Sequence, residues 1–353
     1  MKFLIFTLLL SLPSTSFSSD SSEEVIRSFQ VSKQNQNLPK IARDFEIVKR
    51  NKKGFVVYVL KEEVPKFLKL ATHAVLLEKD INSALKNNKT LLAGYKDFSQ
   101  VQKIIKDYQT DFPALAKFVP YGKSKKGQPL FALKISDNVQ REENERKIML
   151  TAATHGDELI TVEVLMALTK KLLYGYAKNP RFKEIIDNSE IYIIPVVNPD
   201  GFTRRSRYAG RYDPNRQYPW PARPNAGGKV PSINAIMKFY EKINFSGSID
   251  FHASGKMVMF PWGYTRDNIR AAEYKIFNDL TKAMSTQNNY QYGAISRVIY
   301  VAKGSSADYY YWKNNGLALG VELASQKVPS ASKIPRIVKE AEEMTWTFLE
   351  HFL

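Results

Sequence analysis

Residues 147–173 read "KIMLTAATHGDELITVEVLMALTKKLL". The opening "KIMLTAA" is a short apolar run of strand length. After a polar turn, "ELITVEVLMALTKKLL" places apolar side chains at Ile160, Val164, Leu165 and Leu168, a helical period. Strand, turn and helix in that order make one α/β unit, and its turn "THGDEL" (154–159) holds His155 and Glu158. Working outward, "LFALKIS", "EIYIIPVV", "SGSIDFHA" and "ALGVELA" read as further strands that are apolar throughout. Between and after them lie helical patterns such as "NIRAAEYKIFNDLTKAM" and "IPRIVKEAEEMTWTFLEHF". Such alternation predicts the α/β class, with a central mixed β-sheet covered by helices on both faces.

Upstream the pattern changes. The first residues, "MKFLIFTLLLSLPSTSFSSD", have a lysine, an apolar run from Phe3 to Leu12 and a Ser-rich exit. This is the layout of a signal peptide, with cleavage expected around Ser16–Ser19, and the run is too short to span a bilayer. A secreted or periplasmic location follows as an expectation, with no stable membrane insertion once the signal is removed. A polar stretch without a regular element is expected to about Lys40. Then "DFEIV", "NKKG" and "FVVYVL" read as strand, turn and strand, "KEEVPKFLKLA" as a helix with Pro65 in its first turn, and "AVLLEKDI" as a strand. The predicted organisation is a signal peptide at 1–19, a small α+β module with its linker ("KNNKTLLAG") at 20–93, and a main domain at 94–353. That main domain opens with a helix "SQVQKIIKDYQ" capped by Ser99.

Composition narrows the chemistry. The chain has no cysteine, which excludes disulfides, thiol nucleophiles and Cys-based metal sites. The formal charge of +17 is spread along the sequence, and no nucleic-acid recognition signature accompanies it, so no nucleic-acid partner is expected. A metal site in this chain must use His and carboxylates.

In open α/β sheets, polar residues at the C-terminal ends of strands line the ligand crevice. His155 follows one strand and His252 ends another, so both histidines point to one edge of the sheet. Two His and one carboxylate form a known catalytic zinc set. An HxxE pair by itself is weak, because chance and ordinary strand-end histidines produce it. The segment "FTRRSRYAGRYDPNRQYPW" adds Arg204, Arg205, Arg207, Arg211 and Arg216, a cluster suited to an anion, although by itself it reads as a solvated basic loop.

Taken in order, "THGDE", "NPDG", "DPNR", "DFHA", "IYVAKGSSADYYYW" and "GVELA" make the chain resemble the zinc metallocarboxypeptidases, over roughly residues 94–353. The resemblance implies one zinc ion held by His155, Glu158 and His252, with Asp213 hydrogen-bonding the first histidine. It implies Glu322 as catalytic base acting on a zinc-bound water, Asn215 and Arg216 as grips for a substrate's terminal carboxylate, and Tyr300 as the tyrosine that closes over it. The oxyanion-stabilising arginine falls on Arg207, with Arg205 as the alternative. Seven residues after Tyr300, at a position where the family reads the substrate's last side chain, stands Ala307. A basic-side-chain pocket is not expected, and a neutral terminal residue is. The implied activity is exopeptidase hydrolysis of a C-terminal peptide bond by a monomer. Asp157 departs from the arginine of digestive members, which leaves open a peptidoglycan stem-peptide amidase on the same scaffold, or a non-catalytic wall-binding protein. The small module lies where secreted zymogens of the family keep an inhibitory prosegment.

Overall fold

The computed structural model describes residues 25–353, and the signal peptide expected at 1–19 lies outside them. The chain divides into two compact units, one ending at Val75 and the other spanning Leu76–Leu353. Twelve strands are described: β1 (Ile26–Ser32), β2 (Glu46–Asn51), β3 (Gly54–Leu60), β4 (Val75–Glu78), β5 (Ala116–Lys123), β6 (Pro129–Ile135), β7 (Arg146–Thr151), β8 (Ser189–Ile194), β9 (Gly247–Ala253), β10 (Met257–Phe260), β11 (Gln291–Ala294) and β12 (Leu317–Leu323).

The small sheet has the order β2-β3-β1-β4. Its core is Phe29, Val31, Val57, Val59 and Phe67, with helices Leu38–Asp44 and Val64–Leu70 against it. One expectation is corrected here. The stretch before Lys40 holds β1, paired antiparallel with β3 along its whole length, because "IRSFQVS" buries Ile26, Phe29 and Val31 despite its polar letters. The linker segment "KNNKTLLAG" holds the short helical turn Lys89–Leu92, capped by Asn88, and follows the turn Ile81–Lys86, capped by Asp80.

In the larger unit an eight-stranded mixed sheet runs β11-β10-β12-β9-β7-β8-β6-β5, as the apolar strands predict. Every residue of β8 and β9 is buried, which requires cover on both faces. Helix Leu159–Gly175 packs against helix Ile334–Glu350, and helix Pro231–Ile243 against β5. The strand β5 was not anticipated, since Pro120 and Gly122 interrupt "AKFVPYGK". It lies at the sheet's edge with a register shift between those two residues, where a missing N–H is tolerated. The opening helix, Phe98–Asp111, is capped by Asp97 rather than Ser99: the Asp97 carboxylate accepts from Gln100 N–H, and Ser99 Oγ donates to Asp97. The aspartate accepts more strongly and completes a capping box with Gln100.

Candidate active site

Three parallel strand ends build the site. The strand β9 lies between β7 and β12, and Glu322 sits directly opposite His252 in the β9–β12 ladder. His155 lies four residues past the end of β7, and Glu158 occupies the N-cap position of helix Leu159–Gly175. The glycine between them is required by packing. A Cβ on Gly156 would lie 2.2 Å from both the carbonyl carbon of Gly201 and the amide nitrogen of Phe202. The "THGDE" turn and the "NPDG" turn therefore meet backbone to backbone. The second turn is fixed in its own right, Asn198 accepting from Gly201 N–H at 3.0 Å and Asp200 from Ser124 Oγ at 2.7 Å.

His155 Nδ1 stands 3.0 Å from Glu158 Oε1 and 3.1 Å from His252 Nδ1, which is 3.0 Å from Glu158 Oε2. All three residues are buried. The opposite ring nitrogens are both engaged: His155 Nε2 by Asp213 Oδ1 at 3.1 Å, His252 Nε2 by Asp250 Oδ2 at 3.0 Å. Each imidazole thus turns Nδ1 toward one shared point while a carboxylate holds its far side, the arrangement that orients metal-ligating histidines. Ligands on a cation with bonds of about 2.0–2.1 Å stand about 3.3 Å apart, so this donor set fits zinc.

The charges are mutually supporting. Burial opposes ionisation of Glu158, but His155 and His252 outweigh it and hold the carboxyl well below its ordinary value. Burial likewise opposes the charged forms of both histidines. Glu158 and Asp213 nevertheless raise His155 against the added opposition of Arg207, and Asp250 and Glu158 raise His252 well above the imidazole range. Asp213 is pulled well below the usual carboxylate value by Arg207 and His155, again against burial.

Asp250 was not anticipated as a site residue. It sits two positions before His252 on the same face of β9 and accepts from Thr151 Oγ1 at 2.8 Å, Thr154 Oγ1 at 2.9 Å and Ser306 Oγ at 2.6 Å. The period-two spacing in "DFHA" was the available signal. Of the two candidate arginines, only Arg207 reaches the centre. Its guanidinium donates to Asp213 Oδ2 at 3.0 Å and Glu158 Oε1 at 3.2 Å and lies 3.0 Å from His155 Nδ1. Arg205 turns away, donating to the Lys96 carbonyl at 3.3 Å and covering the Phe202 ring.

Beside the triad opens a cleft lined in part by Arg207, Asn215, Arg216, Tyr300 and Glu322. Glu322 Oε2 is buried without a hydrogen-bond partner, and burial together with the charge of Glu158 raises this carboxyl above its ordinary value. Arg216 donates to Tyr300 Oη at 2.9 Å, and Asn215 Oδ1 accepts from Ser306 N–H at 2.8 Å. The lining also includes Met259, Ile295, Ile299, Ala302, Ala307 and Gly320, with Ser305 and Ser306. Asp308, next to Ala307, turns its carboxylate to the N–H groups of Gly263 and Tyr264 at 2.7 and 2.8 Å, away from the lining.

Fold and donor set together define a protein with a candidate metal site at the strand ends of a mixed α/β sheet. The particular family is given by sequence: a zinc carboxypeptidase family profile matches residues 101–344, and the chain belongs to that family. It is 28% identical over 264 residues to carboxypeptidase SOL1 of Arabidopsis thaliana, covering 70% of this chain and 54% of that protein. It is 41% identical over 108 residues to a zinc carboxypeptidase of Saccharothrix mutabilis, covering 31% of this chain and 25% of that one. The aligned regions thus span about half or less of these curated relatives. The crystal structure of carboxypeptidase A from Helicoverpa armigera superposes with a TM-score of 0.72 over 92% of this chain and 96% of that one, at 18% identity, and shares the fold.

Two outcomes follow from this geometry. Replacing Gly156 with Ala forces two backbones apart, and a destabilisation of about 1–3 kcal/mol is expected, read as a lower thermal midpoint. A Gly156→Ala protein as stable as the parent would count against the interlock. Because both histidines hold protons above the ordinary imidazole value, zinc uptake at pH 7 must displace protons, and apparent affinity must fall as pH falls through those raised values. Titration calorimetry in buffers of different ionisation enthalpy should report net proton release, and identical heats in all buffers would refute it.

Proposed function

We propose that the protein is a zinc-dependent exopeptidase that hydrolyses the C-terminal peptide bond of peptides ending in a neutral or apolar residue. The observation that carries this reading is the shared cleft, in which a carboxylate clamp lies beside the two-histidine, one-glutamate donor set and Glu322. Arg216 and Asn215 would receive a terminal carboxylate, and Arg216 donates to Tyr300 Oη in the same cleft. A planar guanidinium grips a carboxylate with directional, charge-assisted bonds, and this orientation confines cleavage to the chain end.

His155, Glu158 and His252 would hold the zinc. When bound, zinc supplies a Lewis acid that acidifies a water and polarises the scissile carbonyl. Glu322 acts as general base: its unpartnered oxygen takes the proton from the attacking water and returns it to the leaving amine. Arg207 stands where charge develops on the carbonyl oxygen and stabilises it. The terminal side chain enters an apolar pocket with Ala307 in its wall. Apart from Glu322, the general base, the lining among the described residues holds no carboxylate to pair with a basic side chain, which supports a neutral residue there. The small N-terminal module serves as a prosegment, released by cleavage near the exposed Lys86 and Lys89.

Glu322→Gln should lower kcat by about 10²–10⁴-fold while zinc is still bound. Matched peptides with free and amidated C-termini should differ strongly in kcat/KM for the parent protein and little for Arg216→Ala. Equal cleavage of both by the parent would defeat the exopeptidase reading, and faster release of Lys than of Phe or Leu would defeat the neutral pocket. Stem peptides included in the same assay decide between this reading and peptidoglycan amidase activity. Separately, limited trypsin treatment should yield a stable fragment close to residues 94–353 with increased activity, and absence of both would overturn the prosegment assignment.

A further inference from the structure

The turn that carries His155 and Glu158 also carries Asp157, a carboxylate only 5% exposed, immediately beside a metal ligand. Two neighbouring acids with so little water around them repel each other strongly. Lys327, five residues beyond Glu322 on the loop that leaves β12, compensates both. Its Nζ donates to Asp157 Oδ2 at 2.8 Å and stands 3.6 Å from Glu158 Oε1. The carbonyl of the same residue accepts from Ile160 N–H at 3.2 Å. Lys327 therefore grips the ligand turn at two points, one ionic and one main-chain. The loop itself is anchored, with the Ala324 carbonyl accepting from Gly255 N–H at 3.0 Å and the Pro329 carbonyl from Tyr95 Oη at 2.5 Å.

We infer that Lys327, held in place by Asp157, is a positioning residue for Glu158 that tunes how tightly the donor set retains its metal. The inference rests on the zinc-binding reading above. Glu158 is surrounded by His155, His252, Arg207 and Lys327, so its carboxylate orientation is a balance of attractions from several sides. Asp157 draws the Lys327 ammonium outward to a 2.8 Å contact and leaves it at 3.6 Å from Glu158. Without Asp157, the ammonium would close onto Glu158 as a direct ion pair and compete with the metal for the same oxygen. Without Lys327, the unpaired charge of Asp157 would act directly on Glu158 and loosen the turn. Breaking one side of a buried pair is costly, whereas removing both sides leaves no buried charge uncompensated.

The test is the zinc dissociation constant of the full chain, measured by competition with a chromophoric chelator, for the parent, Lys327→Met, Asp157→Asn, the double variant and Lys327→Arg. One-to-one zinc binding by the parent is the control for the underlying reading, and its failure would remove that reading itself. Given a zinc-binding parent, each single neutralising variant should weaken affinity by about 10–100-fold, as losses behind a metal ligand do. The double variant should recover most of the loss, and Lys327→Arg should stay near the parent. Single variants with lowered thermal midpoints but parental zinc affinity would show a purely structural pair and overturn the inference. Additive losses in the double variant would overturn it as well.

Discussion

The site depends on two imidazoles whose outer nitrogens are each held by a carboxylate. Asp213 on His155 and Asp250 on His252 decide which ring nitrogen faces inward, and without that choice the donor atoms would not converge. Each carboxylate is itself secured. Asp213 accepts from Arg207 and from Asn215 N–H, and Asp250 from two threonines and Ser306. Rotating either ring would leave a buried carboxylate short of a partner, which is expensive in a site with so little water. The orientation of the histidines is therefore over-determined by groups that never touch a substrate.

The same network joins the two histidines to the Asn215–Arg216 turn. Asn215 follows Asp213 by two residues in one short turn, and its side chain accepts from Ser306, whose hydroxyl donates to Asp250. Ser306 begins the helix that carries Ala307 into the pocket wall. The two histidines, the Asn215–Arg216 turn and the cleft wall at Ala307 are thus joined by one connected set of hydrogen bonds.

How much of this the sequence reveals depends on the distance between partners along the chain. The alternating strands and helices of the larger unit are legible because their apolar periodicity is local. His155 and Glu158 are legible as a pair because three residues separate them, and His252 joins them because it too ends a strand, but Glu322 gains meaning only through the ordered motifs of a family. Asp250 is easily passed over in "DFHA": its period-two spacing puts it on the face of His252, but the three hydroxyls that hold it lie far away in sequence. Lys327 hides for a like reason: its partner Asp157 is 170 residues away, and no periodicity links them. The strand β1 was missed because its buried residues alternate irregularly with polar ones, and β5 because Pro120 and Gly122 break a pattern that an edge strand can afford to break.

Glu322 and His252 occupy the same rung of the β9–β12 ladder. Their spacing is set by main-chain hydrogen bonding between parallel strands, which keeps neighbours about 4.8 Å apart whatever the side chains around them. A slip of one residue would send Glu322 to the opposite face of the sheet. The Glu322 carboxylate is therefore located by the backbone, and surrounding side chains can drift far without moving it. Loops and pocket walls are held by no such register, so they are free to change around a rung that the sheet keeps fixed.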